Sequence, residues 1–203
     1  MQSNGLLRVA PGALLRVSLY RTSARPSDTI SPMRKIGIIS DTHNKLPDRA
    51  LEALRGCDRV IHAGDMCSPD ILWQLECVAP VCAVLGNNDH ADFGPSVNPS
   101  ASFVEEGVRF VVVHEPRHLR GALESHAGGT SKVVAVHGHT HVPKLEAGAD
   151  SPLYDFLVCP GAVNRSRDPL GRKTVAFVQV DGGRIESIRI ADLDGNTVEE
   201  VRG

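Results

Sequence analysis

From residue 35 onward, short apolar runs alternate with stretches of helical spacing. Residues 35–39 (KIGII) form a nearly continuous apolar run, as suits a strand covered on both faces. Residues 46–55 carry Ala50, Leu51 and Leu54 at helical spacing, with Pro47 near the start and Gly56 as the stop. Residues 59–63 (RVIHA) predict a second strand, and residues 69–77 (PDILWQLEC) a helix capped by Ser68. Residues 81–85 (VCAVL) predict a third strand. The order βαβαβ predicts a parallel sheet with helices on its faces.

The second half is richer in strands. Residues 91–100, full of Pro, Ser and Gly, predict a loop. Residues 102–104 and 108–113 read as a hairpin turning at Glu106-Gly107, and residues 119–126 as a short helix ended by Gly128-Gly129. Further strands are predicted at 132–136, 154–158, 174–180 and 184–190, the last two joined by Asp181-Gly182-Gly183. The pattern as a whole predicts an α/β fold of two packed sheets with helices outside.

The first 34 residues differ in kind. They hold Arg8, Arg16, Arg21, Arg25 and Arg34 against the single acid Asp28, plus five serines and three prolines. An Arg-rich, Ser-rich, acid-poor leader has the composition of a transit peptide. The preferred reading is an unstructured extension or sequence outside the natural protein, with Met33 as the original start. Residues 35–203 then form one domain. The net charge of −2, less +4 in the leader, leaves −6 over that domain. Such a balance gives no attraction for a polyanion, so no nucleic-acid partner is expected. No stretch approaches membrane-spanning length. Five cysteines (57, 67, 77, 82, 159) without a Cys-x-x-Cys pair argue for a reducing, cytoplasmic setting. Cys57, Cys77 and Cys82 lie among apolar residues and read as buried thiols.

The chemistry sits where the strands end. The first runs into Ser40-Asp41-Thr42-His43-Asn44, the second into Gly64-Asp65, and the third into Gly86-Asn87-Asn88-Asp89-His90. Residues 108–113 end at His114, and the VVAV run opens onto His137-Gly138-His139-Thr140-His141. Each signal alone is weak: Asp41 could cap a helix, Gly64-Asp65 could be a turn, and a lone His114 is more often structural. Gly138-His139-Thr140-His141 is stronger, because in extended geometry His139 and His141 project to one side. Carboxylate oxygen and neutral imidazole suit Mn²⁺, Fe²⁺, Zn²⁺ or Ni²⁺, and the rim motifs lack the cysteines of a closed structural zinc site. Ligand sites in α/β sheets gather outside the carboxyl ends of strands. His62 and His137 read as buried or supporting groups.

Together these motifs resemble the calcineurin-like metallophosphoesterases, and among them the small YfcE-type phosphodiesterases with their retromer-subunit-like branch. The resemblance covers about residues 35–190 and includes Cys159-Pro160-Gly161-Ala162, which is similar to that group's Asn-Pro-Gly-Ser loop with two substitutions. It implies a two-sheet sandwich flanked by helices. It also implies two divalent ions, Mn²⁺ foremost: Asp41, His43 and His141 on the first, Asn87, His114 and His139 on the second, Asp65 bridging, and Asp89 orienting a neighbour. The implied reaction is hydrolysis of a small phosphoester by a metal-bridging hydroxide.

Two further positions depart from the family. Asn88 stands where many relatives carry a His that protonates the leaving group, and an amide has no proton to give near neutral pH. The expected consequence is a preference for good leaving groups. His90 could substitute only by turning back into the site, so it reads as structural. Glu115 stands in place of a Gly and is expected to bring bulk and negative charge beside the centre. Arg165 and Arg167 fall in a loop beyond Pro160-Gly161; arginine recognises phosphate well, but loop arginines are usually just solvated, and that is the preferred reading. The competing functions are a protein-interaction scaffold, as in the retromer-like branch, and a nuclease, which the −6 balance disfavours. A homo-oligomer through a sheet edge or the C-terminal hairpin is left open.

Overall fold

The computed structural model describes residues 33–126, 128, 131–149 and 151–203. The extension expected over 1–34 therefore falls outside the described residues except for Met33 and Arg34. Arg34 already belongs to the first strand, where it pairs with Val180 and its guanidinium bonds Asp58 at 2.7 Å.

The chain runs β1 (Arg34–Ile39), α1 (Asp48–Leu54), β2 (Arg59–His62), α2 (Pro69–Glu76), β3 (Val81–Ala83), β4 (Ser100–Glu105) and β5 (Val108–Val113). A 3₁₀ turn (Pro116–His118) leads into α3 (Leu119–Ser125). Then follow β6 (Val133–Val136), β7 (Pro143–Ala147), β8 (Phe156–Pro160), β9 (Thr174–Asp181), β10 (Arg184–Asp192) and β11 (Thr197–Arg202). One six-stranded sheet has the order β11-β10-β9-β1-β2-β3, and a five-stranded sheet the order β4-β5-β6-β8-β7. Both are mixed. β1, β2 and β3 are parallel, as are β5, β6 and β8, and antiparallel strands flank each set.

Alternation along the strands sorts side chains into three layers. Ile36 and Ile38 of β1 face Val108, Phe110 and Val112 of β5 in the core between the sheets. Ile39 points the other way, onto Ala50 and Leu54 of α1 and Leu72 and Leu75 of α2. On the far side, Val111 and Val113 of β5 meet Leu119 and Leu123 of α3. The runs that read as continuously apolar are thus strands with both faces covered. Gly37 is small for a reason: a Cβ there would stand 2.5 Å from Leu54 Cδ2.

β7 and β11 are strands the pattern did not predict. Both are edge strands with one paired side, and their sequences PKLEA and TVEEVR carry the charges that edges tolerate. Cys77, expected to be buried, caps the end of α2 and is exposed; Cys57 is buried and Cys82 half-buried. All five cysteines are free thiols.

Candidate metal centre

The sandwich brings the carboxyl ends of β1, β2, β3, β5 and β6 to one rim, and the loops leaving them carry the predicted ligands. Asp41, Asp65, His114 and His141 are buried, His43 and His139 half-buried, and Asn87 exposed. His43 Nε2 stands 3.2 Å from His141 Nε2, and His141 Nε2 stands 3.0 Å from Asp41 Oδ1. On the other side, Asn87 Oδ1 lies 3.1 Å from His114 Nε2 and 2.9 Å from His139 Nδ1. Between the two groups is the Asp65 carboxylate, whose Oδ2 is 3.8 Å from His43 Nε2 and 3.4 Å from His114 Nε2. All seven predicted ligands converge. Ligating atoms of Asp41, His43 and His141 form one mutually close set; those of Asp41, Asp65 and His114 form a second, so Asp41 also reaches toward both sides.

The hydrogen bonds around these groups leave one buried carboxylate oxygen without a partner and orient two of the imidazoles. Asp41 Oδ2 accepts from Ser40 Oγ at 2.5 Å and from the His139 amide at 3.1 Å, while Oδ1 is buried with no hydrogen-bond partner. His114 Nδ1 faces the Ala63 carbonyl at 2.7 Å, and His141 Nδ1 faces the Arg165 carbonyl at 2.7 Å. A carbonyl only accepts, so both Nδ1 atoms carry a proton; in the neutral ring Nε2 is then the atom that turns a lone pair to the centre, while the protonated His114 ring donates from Nε2 to Asp65. Two ligands about 2.0–2.2 Å from one ion stand roughly 3.0–3.5 Å apart at octahedral or tetrahedral angles. The separations of His141 from His43 and Asp41 fit that requirement. The residues present suit a divalent cation.

Asp89 and Asn88 hold Asp65 in place. Asp89 Oδ2 accepts from the amides of Asp65 (2.9 Å) and Gly86 (2.7 Å), and its Oδ1 from the Cys67 amide (2.6 Å). Asn88 donates its amide to Asp65 Oδ1 at 2.8 Å and its Nδ2 to Asp65 Oδ2 at 2.7 Å. Burial alone would raise the Asp65 pKa, but hydrogen bonds from His114 and Asn88 outweigh it and hold the carboxyl well below its usual range. Burial likewise opposes protonation of His114, yet Asp65 and the Ala63 carbonyl raise its pKa; His43 is lowered, chiefly by burial.

The backbone is bent into unusual shapes here. Asp41, His43, Asp65, His139 and His141 all have positive φ, between 44° and 70°. Such conformations cost about 1–3 kcal/mol each in non-glycine residues and persist only where the surroundings over-determine them. His139 and His141 are therefore not extended, contrary to the sequence expectation. Left-handed turns at both residues send them apart, His139 to Asn87 and His141 to Asp41. Glycines permit the loops to touch: a Cβ on Gly86 would stand 2.1 Å from Asp65 Oδ1, and one on Gly138 2.0 Å from Ser40 Oγ.

Other expectations fare unevenly. His62 is wholly buried against Thr42 Oγ1 (3.2 Å), and burial depresses its pKa to about 3. His137 is buried with Nδ1 against the Gly138 carbonyl at 2.9 Å. Both match the supporting role expected. Glu115 does not line the central cavity; its carboxylate is paired with Arg117 at 2.9 Å. His90 is exposed and lines a cavity beside the centre rather than packing in the structure. Arg165 and Arg167 line the 230 Å³ cavity over the ligands. Nothing in their spacing singled them out, because two strands, β7 and β8, separate them from the last rim motif. Cys67, 3.7 Å from His43 Nδ1, was equally unmarked; burial and the nearby Asp89 carboxylate push its thiol up to about 11.

A mixed two-sheet sandwich with carboxylate, carboxamide and imidazole groups gathered at its rim defines a metal-dependent hydrolase of the metallophosphoesterase class. The model of the calcineurin-like phosphoesterase superfamily domain matches residues 34–183, and the chain belongs to that superfamily of phosphoric ester hydrolases. It is 33% identical over 162 residues to a "Probable metallophosphoesterase" of Methanothermobacter thermautotrophicus, covering 75% of this chain and 89% of that one. In fold it is similar to YfcE, a phosphoesterase from E. coli (TM-score 0.59, 23% identity, 83% of this chain and 98% of that one). It is also similar in fold to vacuolar protein sorting 29 from Cryptosporidium parvum (TM-score 0.65, 19% identity, 84% and 99%).

Proposed function

We propose that residues 35–203 form a single-domain phosphodiesterase that binds two divalent ions, Mn²⁺ foremost, and hydrolyses small phosphoesters with good leaving groups. Asp41, His43 and His141 would hold one ion and Asn87, His114 and His139 the other, with Asp65 shared. The observation that carries this reading is the position of Asp65, whose Oδ2 lies within 4 Å of a histidine from each group. When bound, such a pair of ions lowers the pKa of a shared water and stabilises charge on the phosphoryl oxygens.

The chain's own residues do the rest. Asp89 and Asn88 fix the angle of Asp65, and the Ala63 and Arg165 carbonyls fix the histidine tautomers. Asn88 offers no acidic proton and spends its amide on Asp65, so the leaving group departs without help from that position. Esters of acidic phenols therefore outpace alkyl esters. Five free thiols accord with a cytoplasmic setting, and among the described residues no helix is long and apolar enough to cross a membrane.

The test is hydrolysis of bis-p-nitrophenyl phosphate by metal-free protein with and without added Mn²⁺. Metal-dependent turnover that Asp65→Asn abolishes is the expected result. No turnover, with the variant behaving like the parent, would favour an interaction scaffold, the reading kept alive by the vacuolar protein sorting 29 fold and by Asn88.

A further inference from the structure

Three features beside the centre take no part in the proposed hydrolysis: two arginines without carboxylate partners among the described residues, a second cavity, and an exposed histidine in that cavity. Arg165 and Arg167 lie on the loop between β8 and β9, and the backbone of that loop is tied to the centre. Asn164 Nδ2 donates to the Thr42 carbonyl at 3.1 Å, His141 Nδ1 to the Arg165 carbonyl at 2.7 Å, and the Arg167 amide to the His141 carbonyl at 3.1 Å. The far side is locked by Arg172, whose guanidinium makes two 2.8 Å bonds to Asp168. Arg172 thus has its carboxylate, whereas no ion pair engages Arg165 or Arg167 among the described residues.

Both unpaired arginines line the 230 Å³ cavity over the ligands. Arg165 also lines an adjoining cavity of 370 Å³ that shares His43 and Asn88 with the first and adds His90. A group expelled from the centre past Asn88 would enter this second space. There it meets fixed positive charge and no carboxylic acid. A guanidinium favours phosphate oxygens through its planar, two-pronged donor geometry. A leaving group that departs already anionic and carries further charge is what such a surface accommodates.

We propose that the 370 Å³ cavity receives a leaving group that is itself a phosphoryl group, held by Arg165 while Arg167 reaches the phosphoryl group under attack. The favoured substrate is then a phosphoanhydride of the diphosphate type. Water oxygen bonds to the phosphorus, the P–O bond breaks with its electron pair passing to the departing phosphate oxygen, and the protons of water go to the products or solvent. No oxidant or co-reactant is needed. Charge from Arg165 replaces the proton that Asn88 cannot supply. The inference rests on the phosphoesterase reading and sharpens it.

Two measurements on the Mn²⁺-loaded protein and on Arg165→Gln/Arg167→Gln test it, with circular dichroism confirming that the exposed substitutions leave the fold intact. The first is the ratio of kcat/KM for inorganic pyrophosphate to that for bis-p-nitrophenyl phosphate. The second is calorimetric binding of methylenediphosphonate and of methylphosphonate. The expected outcome is at least a tenfold fall in the ratio and a tenfold or larger loss of diphosphonate affinity, with a smaller loss for the monophosphonate. Equal losses for both ligands, or none, would overturn the assignment while leaving phosphoester hydrolysis standing. Failure to bind either phosphonate and to turn over either substrate would instead remove the phosphoesterase reading itself. His90→Ala gives a further check: if it slows alkyl esters more than pyrophosphate, His90 is a proton donor and the anionic-leaving-group argument falls.

Discussion

Replacing Asp89 with alanine removes three hydrogen bonds at once, because its carboxylate accepts the amides of Asp65, Gly86 and Cys67 at 2.6–2.9 Å. Bonds to an ionised acceptor are worth about 1.5–3 kcal/mol each, and amides left without a partner add to the loss. Asp89 is half-buried, so water can reach the site and replace part of what is lost. A destabilisation of about 2–4 kcal/mol is the resulting expectation. For a domain of this size that lowers Tm by about 5–15 °C. The stronger effect should be on the centre. Asp65 is held at φ 59° by these contacts, and without them it relaxes toward an ordinary conformation that turns its carboxylate away. Loss of such supporting partners typically weakens metal binding by about 10–100-fold. Thermal unfolding and Mn²⁺ calorimetry read the two effects separately. Asp89→Ala with an unchanged Tm and unchanged metal affinity would refute the view that this carboxylate builds the loop.

Gly86→Ala should abolish metal binding while the sheets still fold, since the new methyl collides with the Asp65 side chain and amide; elemental analysis beside circular dichroism checks both halves. His139→Ala and His141→Ala should each halve the bound metal while affecting different sites, so the double variant should bind none. Acid stability should show the Asp168–Arg172 pair. Its hydrogen bonds with Arg172 hold the Asp168 pKa at about 2, below the unfolded value of 3.8. A depressed carboxyl stabilises the fold above its unfolded pKa and loses that contribution as pH falls toward the folded value. Asp168→Asn should therefore flatten the stability profile between about pH 4 and 2, read by urea unfolding at each pH.

The core strands were legible because β1, β5 and β6 are covered on both faces and so spell continuous apolar runs. Helix α2 was legible through Ser68, whose side chain accepts the Asp70 amide as an N-cap should. The hairpin at Glu106-Gly107 was equally plain, both residues having positive φ. The edge strands β7 and β11 were hidden by the charges that keep edges from pairing with other chains. That the candidate ligands converge could be read because each follows a strand end, and parallel strands in a sandwich deliver their ends to one rim. What could not be read was backbone shape. The left-handed turns at His139 and His141 carry no local signature without glycine, so extended geometry was the default expectation. The position of Arg165 and Arg167 over the centre was hidden for another reason. Their place over the centre depends on hydrogen bonds to Thr42 and His141, more than a hundred and some twenty residues away.

Asp65 is proposed to be common to two bound ions. Electron paramagnetic resonance of the Mn²⁺-saturated protein tests it directly, because two manganese ions sharing a carboxylate couple their spins. The expected result is a coupled spectrum with more closely spaced hyperfine lines than isolated Mn²⁺ gives, collapsing to the isolated form in Asp65→Asn. A six-line spectrum of isolated ions at saturating Mn²⁺, the same in parent and variant, would contradict it.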